Sequence, residues 1–146
     1  MSIELKADYF DNMLRAKKAY SNVIDPICRR WELTRNEMDI LLFLHNNPGL
    51  DRASDIVTRR GIAKSHVSLS VTNLEKYGLI LRETDPGDRR TVHLILSDAA
   101  HEIAREGRSA QEAFFHKLYF GLTEQEFSQW KEIIVKVNEN IAKLEV

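Results

Sequence analysis

The 146-residue sequence predicts a mainly α fold that carries one small β-hairpin. Three observations predict it. Apolar residues recur at steps of three and four through most of the chain, which gathers them on one face of a helix. Threonine stands three residues ahead of glutamate at Thr34–Glu37 and again at Thr123–Glu126, the spacing of a capping box. Two alternating apolar–polar runs, Leu79–Thr84 and Thr91–Leu96, flank the turn-forming stretch Asp85-Pro86-Gly87-Asp88-Arg89-Arg90.

In chain order, Phe10, Met13, Tyr20, Ile24, Ile27 and Trp31 mark a long amphipathic first helix. Pro26 is expected to kink or divide it, because proline lacks the N–H and crowds the preceding turn. A second helix opens at Thr34, carries Met38, Leu41, Leu42 and Leu44, and stops at Asn46-Asn47-Pro48-Gly49. A third runs from Asp51, read as its N-cap, to Arg60. Gly61-Ile62 makes a tight turn, and a fourth helix covers Ala63 to Tyr77, with Gly78 suited to a left-handed C-cap.

In the hairpin that follows, Pro86 presets φ, and Gly87 is expected to take the positive φ that other residues resist. Ser97-Asp98 then caps a fifth helix with Ala100, Ile103, Ala104, Ala110, Phe114 and Leu118, which Gly121 ends. In the last helix Phe127, Trp130, Ile134, Val137, Ile141 and Leu144 form an unbroken heptad seam that wants a partner helix. That partner is a second copy or the chain's own first helix.

Composition excludes several classes. The apolar fraction of 43% and charged fraction of 29% are ordinary for a globular protein. No apolar run approaches the ~20 residues that span a bilayer. The first residues carry acidic side chains where a signal peptide would be basic and then apolar, so a cytoplasmic location without membrane contact is expected. A single cysteine, Cys28, excludes an internal disulfide. The net charge is −1, but residues 51–93 hold eight Lys/Arg against six Asp/Glu, while residues 94–146 hold six against nine. The middle of the chain is the basic part.

The third helix, glycine turn and fourth helix form a helix-turn-helix. In such units the second helix enters the major groove of DNA with its N-terminal residues nearest the bases. Val67, Val71 and Leu74 share one face and should pack inward. Lys64, Ser65, His66, Ser68, Leu69, Thr72 and Asn73 fall on the other faces, where hydroxyl, amide and imidazole groups suit base edges and phosphates and Leu69 suits a thymine methyl. The plainer reading is a solvated helix face, and the hairpin tip decides between them. Arginine is drawn to a narrow minor groove. Arg90 is therefore read as the minor-groove probe, Asp88 as a brace on its guanidinium, and Arg89 as a phosphate contact.

Leu33-Thr34, Lys64-Ser65 with Val67, Leu74–Ile80, and Asp88-Arg89-Arg90 followed by Leu96-Ser97 resemble the MarR family of winged helix-turn-helix regulators. The resemblance implies a winged helix-turn-helix lobe over 33–97, flanked by dimerisation helices at 1–32 and 98–146, all within one domain. It further implies a homodimer gripping a pseudo-palindromic double-stranded operator, with transcription usually repressed and released by a small ligand, oxidation or metal. Three positions depart from the family pattern: Ala100 replaces a glycine, Arg60 stands where leucine is common, and Leu69 where a basic or polar contact is common.

The resemblance also implies an effector, read as small and aromatic or amphipathic, in a crevice between the dimerisation helices and the DNA-binding lobe; Tyr20, Met13, Met38 and Trp31 are candidates to line it, and the plainer reading of each is core packing. Cys28, next to Arg29 and Arg30, has two readings: a redox-sensing thiolate or a small buried filler. His101, Glu102 and Arg105 do not make a metal set, so neither metal nor cofactor is expected. No phosphate loop or nucleophile motif suggests an enzyme. A winged helix used for protein contact without DNA is the remaining alternative.

Overall fold

The computed structural model describes residues 7–144, with side chains from residue 10. Helices α1 (Ala7–Arg30), α2 (Arg35–Asn46), α3 (Ala53–Arg60) and α4 (Lys64–Lys76) are followed by strands β1 (Ile80–Thr84) and β2 (Val92–Leu96), then α5 (Asp98–Leu118) and α6 (Glu124–Leu144). The mainly α fold with one hairpin is as the sequence predicts. The chain divides into two compact units, Met1–Glu112 and Ala113–Val146, with the boundary inside α5.

In the first unit α2 is the central element. Met38, Ile40, Leu41 and Leu42 are all at most 1% exposed, a run that exceeds one helical stripe because α1, α4 and β2 each pack on it. Burying each such side chain stabilises the fold by about 1.5–3 kcal/mol. Helix α5 also comes close: a Cβ at Gly107 would lie 2.8 Å from Leu42 Cδ2. The start of α2 is closed by the expected capping box, Glu37 N–H donating to Thr34 Oγ1 at 3.2 Å and Thr34 N–H to Glu37 Oε2 at 3.3 Å. The other Glu37 oxygen accepts from Asn73 Nδ2 on α4 at 3.4 Å. Glu37 thus satisfies its carboxylate while only 2% exposed. At the far end of α2, His45 Nδ1 meets His101 Nδ1 of α5 at 2.9 Å. A bond between two ring nitrogens requires one to accept, so at least one of these rings is neutral.

One local expectation is narrowed and another corrected. Helix α1 is not divided at Pro26 but runs unbroken through it. Proline in a helix interior costs ~3 kcal/mol, but Ile24, Ile27 and Cys28 around it are all buried, and their burial outweighs that cost. Asp51 does not cap α3. Arg52 is the N-cap residue, its N–H donating to Asp55 Oδ2 at 3.1 Å. Asp51 is taken up by the hairpin instead, its carbonyl accepting from Leu94 N–H at 2.8 Å.

The strands pair antiparallel from Ile80↔Leu96 to Thr84↔Val92. Ile80 and Leu94 turn into the core, while Leu81 stays 62% exposed. Gly78, at φ +73°, ends α4 in the left-handed conformation expected, and Leu79 N–H reaches back to Leu74 O at 2.9 Å. Ser97 caps α5, its hydroxyl accepting from Ala100 N–H at 3.2 Å.

The second unit holds the end of α5 and α6. Gly121, at φ +88°, makes the turn, and Thr123 and Glu126 form the predicted capping box, with Thr123 N–H donating to Glu126 Oε2 at 2.8 Å. Tyr119 packs on Trp130 and Phe127 with ring centroids 4.8 and 5.2 Å apart. Further along, the heptad seam is uncovered: Val137 is 43%, Ile141 46% and Leu144 81% exposed.

Replacing Glu37 with alanine removes the partner of both Thr34 N–H and Asn73. It should lower unfolding stability by about 1–3 kcal/mol, measured as a shift of the urea midpoint at unchanged slope.

Candidate nucleic-acid interface

Gly61, at φ +62°, turns the chain between α3 and α4. Val67, Val71 and Leu74 are at most 2% exposed and fix α4 against the core. That fixes which residues face outward. Lys64, Ser65, His66, Ser68 and Leu69 are all exposed. Thr72 and Asn73 are half-buried and engaged within the lobe: Thr72 Oγ1 accepts from Arg82 Nη2 at 3.2 Å, and Asn73 holds Glu37. The outward face therefore lies mainly on the N-terminal half of α4. Arg82, which also donates from Nε to Glu75 Oε2 at 2.7 Å, ties β1 to α4 and was not singled out from the sequence.

The hairpin tip is built differently from the sequence expectation. Gly87 is not in the positive-φ region. Asp85 shapes the turn, its Oδ2 accepting from Gly87 N–H at 2.9 Å and Asp88 N–H at 3.0 Å. Asp88 does brace Arg90, but through the main chain: Oδ1 accepts from Arg90 N–H and Oδ2 from the Thr91 hydroxyl, each at 3.0 Å. The Arg90 guanidinium is not the partner. An acceptor two or three residues from a backbone N–H closes a small ring, whereas a long guanidinium must fold back to reach it. Arg89 and Arg90 are exposed, and neither enters an ion pair among the described residues.

Behind the tip, His93 stands between two carboxylates, Nδ1 to Asp51 Oδ1 at 2.8 Å and Nε2 to Asp85 Oδ1 at 2.9 Å. The sequence reading missed both His93 and the role of Asp51. Both carboxylates precede His93, by 42 and 8 residues, so no local pattern marks the cluster and it forms only once the hairpin folds back on Asp51.

One hollow adjoins this surface, and a second lies among residues of α1, α2, α3 and α5. The first, of about 380 Å³, lies between α3, α4 and the hairpin, with Val57, Val71 and Val92 on its apolar side and Lys64 and Arg82 at its polar side. The other, about 200 Å³, is lined by Tyr20, Arg35, Asp39, Leu42, Arg60 and Gln111. Of the four residues read as a ligand crevice, only Tyr20 lines it. Met38 is fully buried, Met13 is 58% exposed, and Trp31 donates Nε1 to Glu106 Oε2 at 2.8 Å. Arg60, the departure noted from sequence, lies over the Phe43 ring, 5.4 Å from its centroid.

The thiolate reading of Cys28 is overturned. The side chain is 5% exposed, and burial pushes its thiol up from the ordinary value, against a smaller downward pull from Arg35. Arg30, expected beside it, pairs with Glu106 instead. Among the described residues no group of three or more His, Cys, Asp or Glu is placed to hold a metal ion.

A helix-turn-helix followed directly by a two-stranded cationic hairpin defines a winged helix-turn-helix protein. Residues 31–91 match the MarR family model. Over 92 residues it is 29% identical to the transcriptional repressor MprA of Escherichia coli K12, covering 63% of this chain and 52% of MprA. The chain thus spans about half the length of the curated relatives it matches. Two solved structures share the fold. A MarR family transcriptional regulator from Listeria monocytogenes, complexed with a 26mer DNA, superposes with a TM-score of 0.80 at 22% identity, covering 95% of this chain and 91% of that one. CouR from Rhodococcus jostii RHA1, bound to p-coumaroyl-CoA, gives 0.74 at 16% identity, covering 93% and 95%.

The turn geometry separates two glycines. Gly87→Ala should change stability by less than about 0.5 kcal/mol, since its φ suits any residue; its Cβ would meet only Asp85 Oδ2, at 3.3 Å. Gly78→Ala, at φ +73°, should cost about 1–2 kcal/mol. Thermal melts of the two variants side by side check this.

Proposed function

We propose that this protein is a homodimeric, sequence-specific DNA-binding repressor of transcription, released from its operator by a small aromatic or amphipathic effector. The observation that carries the reading is a pair of adjoining elements, each with exposed basic side chains. The exposed N-terminal half of α4 carries Lys64, Ser65, His66, Ser68 and Leu69, and the hairpin beside it carries Arg89 and Arg90 with neither in an ion pair among the described residues. Helix α4 enters the major groove, Arg90 the adjacent minor groove, and Arg89 a phosphate. Thr72 and Asn73 hold α4 in place, and Asp88 shapes the wing.

Residues 33–97 form the reading lobe, and 1–32 with 98–146 the dimerisation helices. The exposed Met13 and Leu14 of α1 and the exposed Val137, Ile141 and Leu144 of α6 support that assignment. Two copies place their reading helices one helical turn apart, ~34 Å, on a pseudo-palindromic site. The repressor MprA and the DNA-bound Listeria regulator support the DNA reading, and CouR with its acyl-CoA ligand supports an effector. The hollow between Tyr20 and Arg60 is our choice for the effector. The protein acts by binding rather than catalysis, in the cytoplasm, where its operator is; no described helix is long and apolar enough to cross a membrane.

Replacing Arg90 with alanine should weaken operator binding roughly tenfold and flatten the slope of log affinity on log salt by about 0.9, with the dimer intact. A salt titration of duplex binding checks this, and wild-type protein with no duplex affinity overturns the proposal. Replacing Val137 and Ile141 together with glutamate should yield folded monomer by light scattering, because two charges at a seam cannot be buried unpaired.

A further inference from the structure

The wing is suspended from one side chain. His93 on β2 lies within hydrogen-bonding distance of Asp51, in the segment between α2 and α3, and of Asp85, at the hairpin turn. Asp85 in turn holds the main-chain N–H groups of Gly87 and Asp88, and Asp88 holds Arg90 N–H and the Thr91 hydroxyl. The backbone that presents both arginines is thus linked, bond by bond, to the imidazole ring.

A neutral imidazole has one N–H and one lone pair, so between two carboxylates it satisfies one and turns its lone pair on the other. An imidazolium donates to both. The charged groups bonded to the ring are both acidic, Asp51 and Asp85, and its antiparallel partner on β1 is Glu83. We propose that His93 is a positioning residue for DNA binding, which as an imidazolium clamped between Asp51 and Asp85 fixes the turn that carries Arg89 and Arg90, so that DNA affinity falls when the ring loses its proton. The inference rests on the DNA-binding reading above.

The electrostatics agree in sign. Asp51 first, and Asp85 next, raise the ring's pKa above its ordinary 6.5 against a smaller effect of burial. The bond to His93 is the largest of the causes that lower Asp85. A group whose folded pKa is raised contributes fully below the ordinary value and loses its contribution as pH rises through the raised one. The wing is therefore held below the ordinary imidazole value and released as pH rises through the raised one.

The test uses the full chain and a duplex that it selects from random-sequence DNA. His66 is a second imidazole, exposed on the reading face, so a His66→Gln background isolates the wing. In that background affinity should fall roughly tenfold from about pH 6 to about pH 9, the range in which a raised imidazole titrates. Asp51→Asn should move the fall to lower pH, and His93→Gln should give the weaker affinity with no fall. Proton NMR of the His93 ring in the wild type should show a midpoint above the ordinary imidazole value. A folded His93→Gln variant that keeps the fall, or a ring that titrates below the ordinary value, overturns the His93 assignment while leaving DNA binding in place. If His93→Gln does not fold, the Asp51→Asn shift and the ring titration decide. Selection that recovers no duplex at any pH overturns the DNA-binding reading, and the positioning role with it.

Discussion

Burial of α2 on nearly every side is the constraint that organises the first unit. A helix with apolar residues around most of its circumference has no face to offer water, so each neighbour must cover part of it. Helices α1 and α4 and strand β2 do so, and the side chains they contribute are then fixed in direction. Val67 and Val71 cannot point inward without Lys64, Ser65 and Ser68 pointing out. The charged exception inside this core, Glu37, strengthens the arrangement because its two oxygens bind two different elements, the start of α2 and the middle of α4. A half-satisfied carboxylate at that depth would be costly; a fully satisfied one specifies how the two helices meet.

What was legible in the sequence was what depends on neighbours close in the chain. The capping boxes at Thr34 and Thr123, the left-handed end of α4 at Gly78 and the inward stripe of Val67, Val71 and Leu74 all rest on contacts within a few residues. The misread features depend on distant ones. Pro26 is carried through α1 by burial of Ile24, Ile27 and Cys28. Asp51 has the chemistry of an N-cap, but it lies where β2 returns, and a strand N–H and a histidine ring claim it first. Gly87 follows proline, which suggested a positive φ, yet Asp85 supplies the acceptor that shapes the turn without one.

The interface shows the same division. Which α4 residues avoid the core followed from helical periodicity. Which of those remain open to a ligand did not, because Thr72 and Asn73 are engaged by Arg82 and Glu37, from positions 10 and 36 residues away. Exposure and availability are different properties, and only the first is periodic. Cys28 makes the point for reactivity: two arginines adjacent in sequence suggested a thiolate, but the folded helix buries the sulfur and sends Arg30 to Glu106.

Gly107 carries a consequence for how this chain can diverge. Its bare α-carbon lets α5 lie against Leu42 with no room for a methyl group, the would-be Cβ falling 2.8 Å from Leu42 Cδ2. Helical propensity alone favours alanine over glycine by about 1 kcal/mol, so in isolation drift would run toward alanine. Overpacking a tight core costs about 1–3 kcal/mol and opposes it. Relief comes from a compensating change, a smaller residue at 42 that vacates the space. Positions 42 and 107 are therefore bound to drift as a pair, a coupling between two helices that is set by one missing carbon atom.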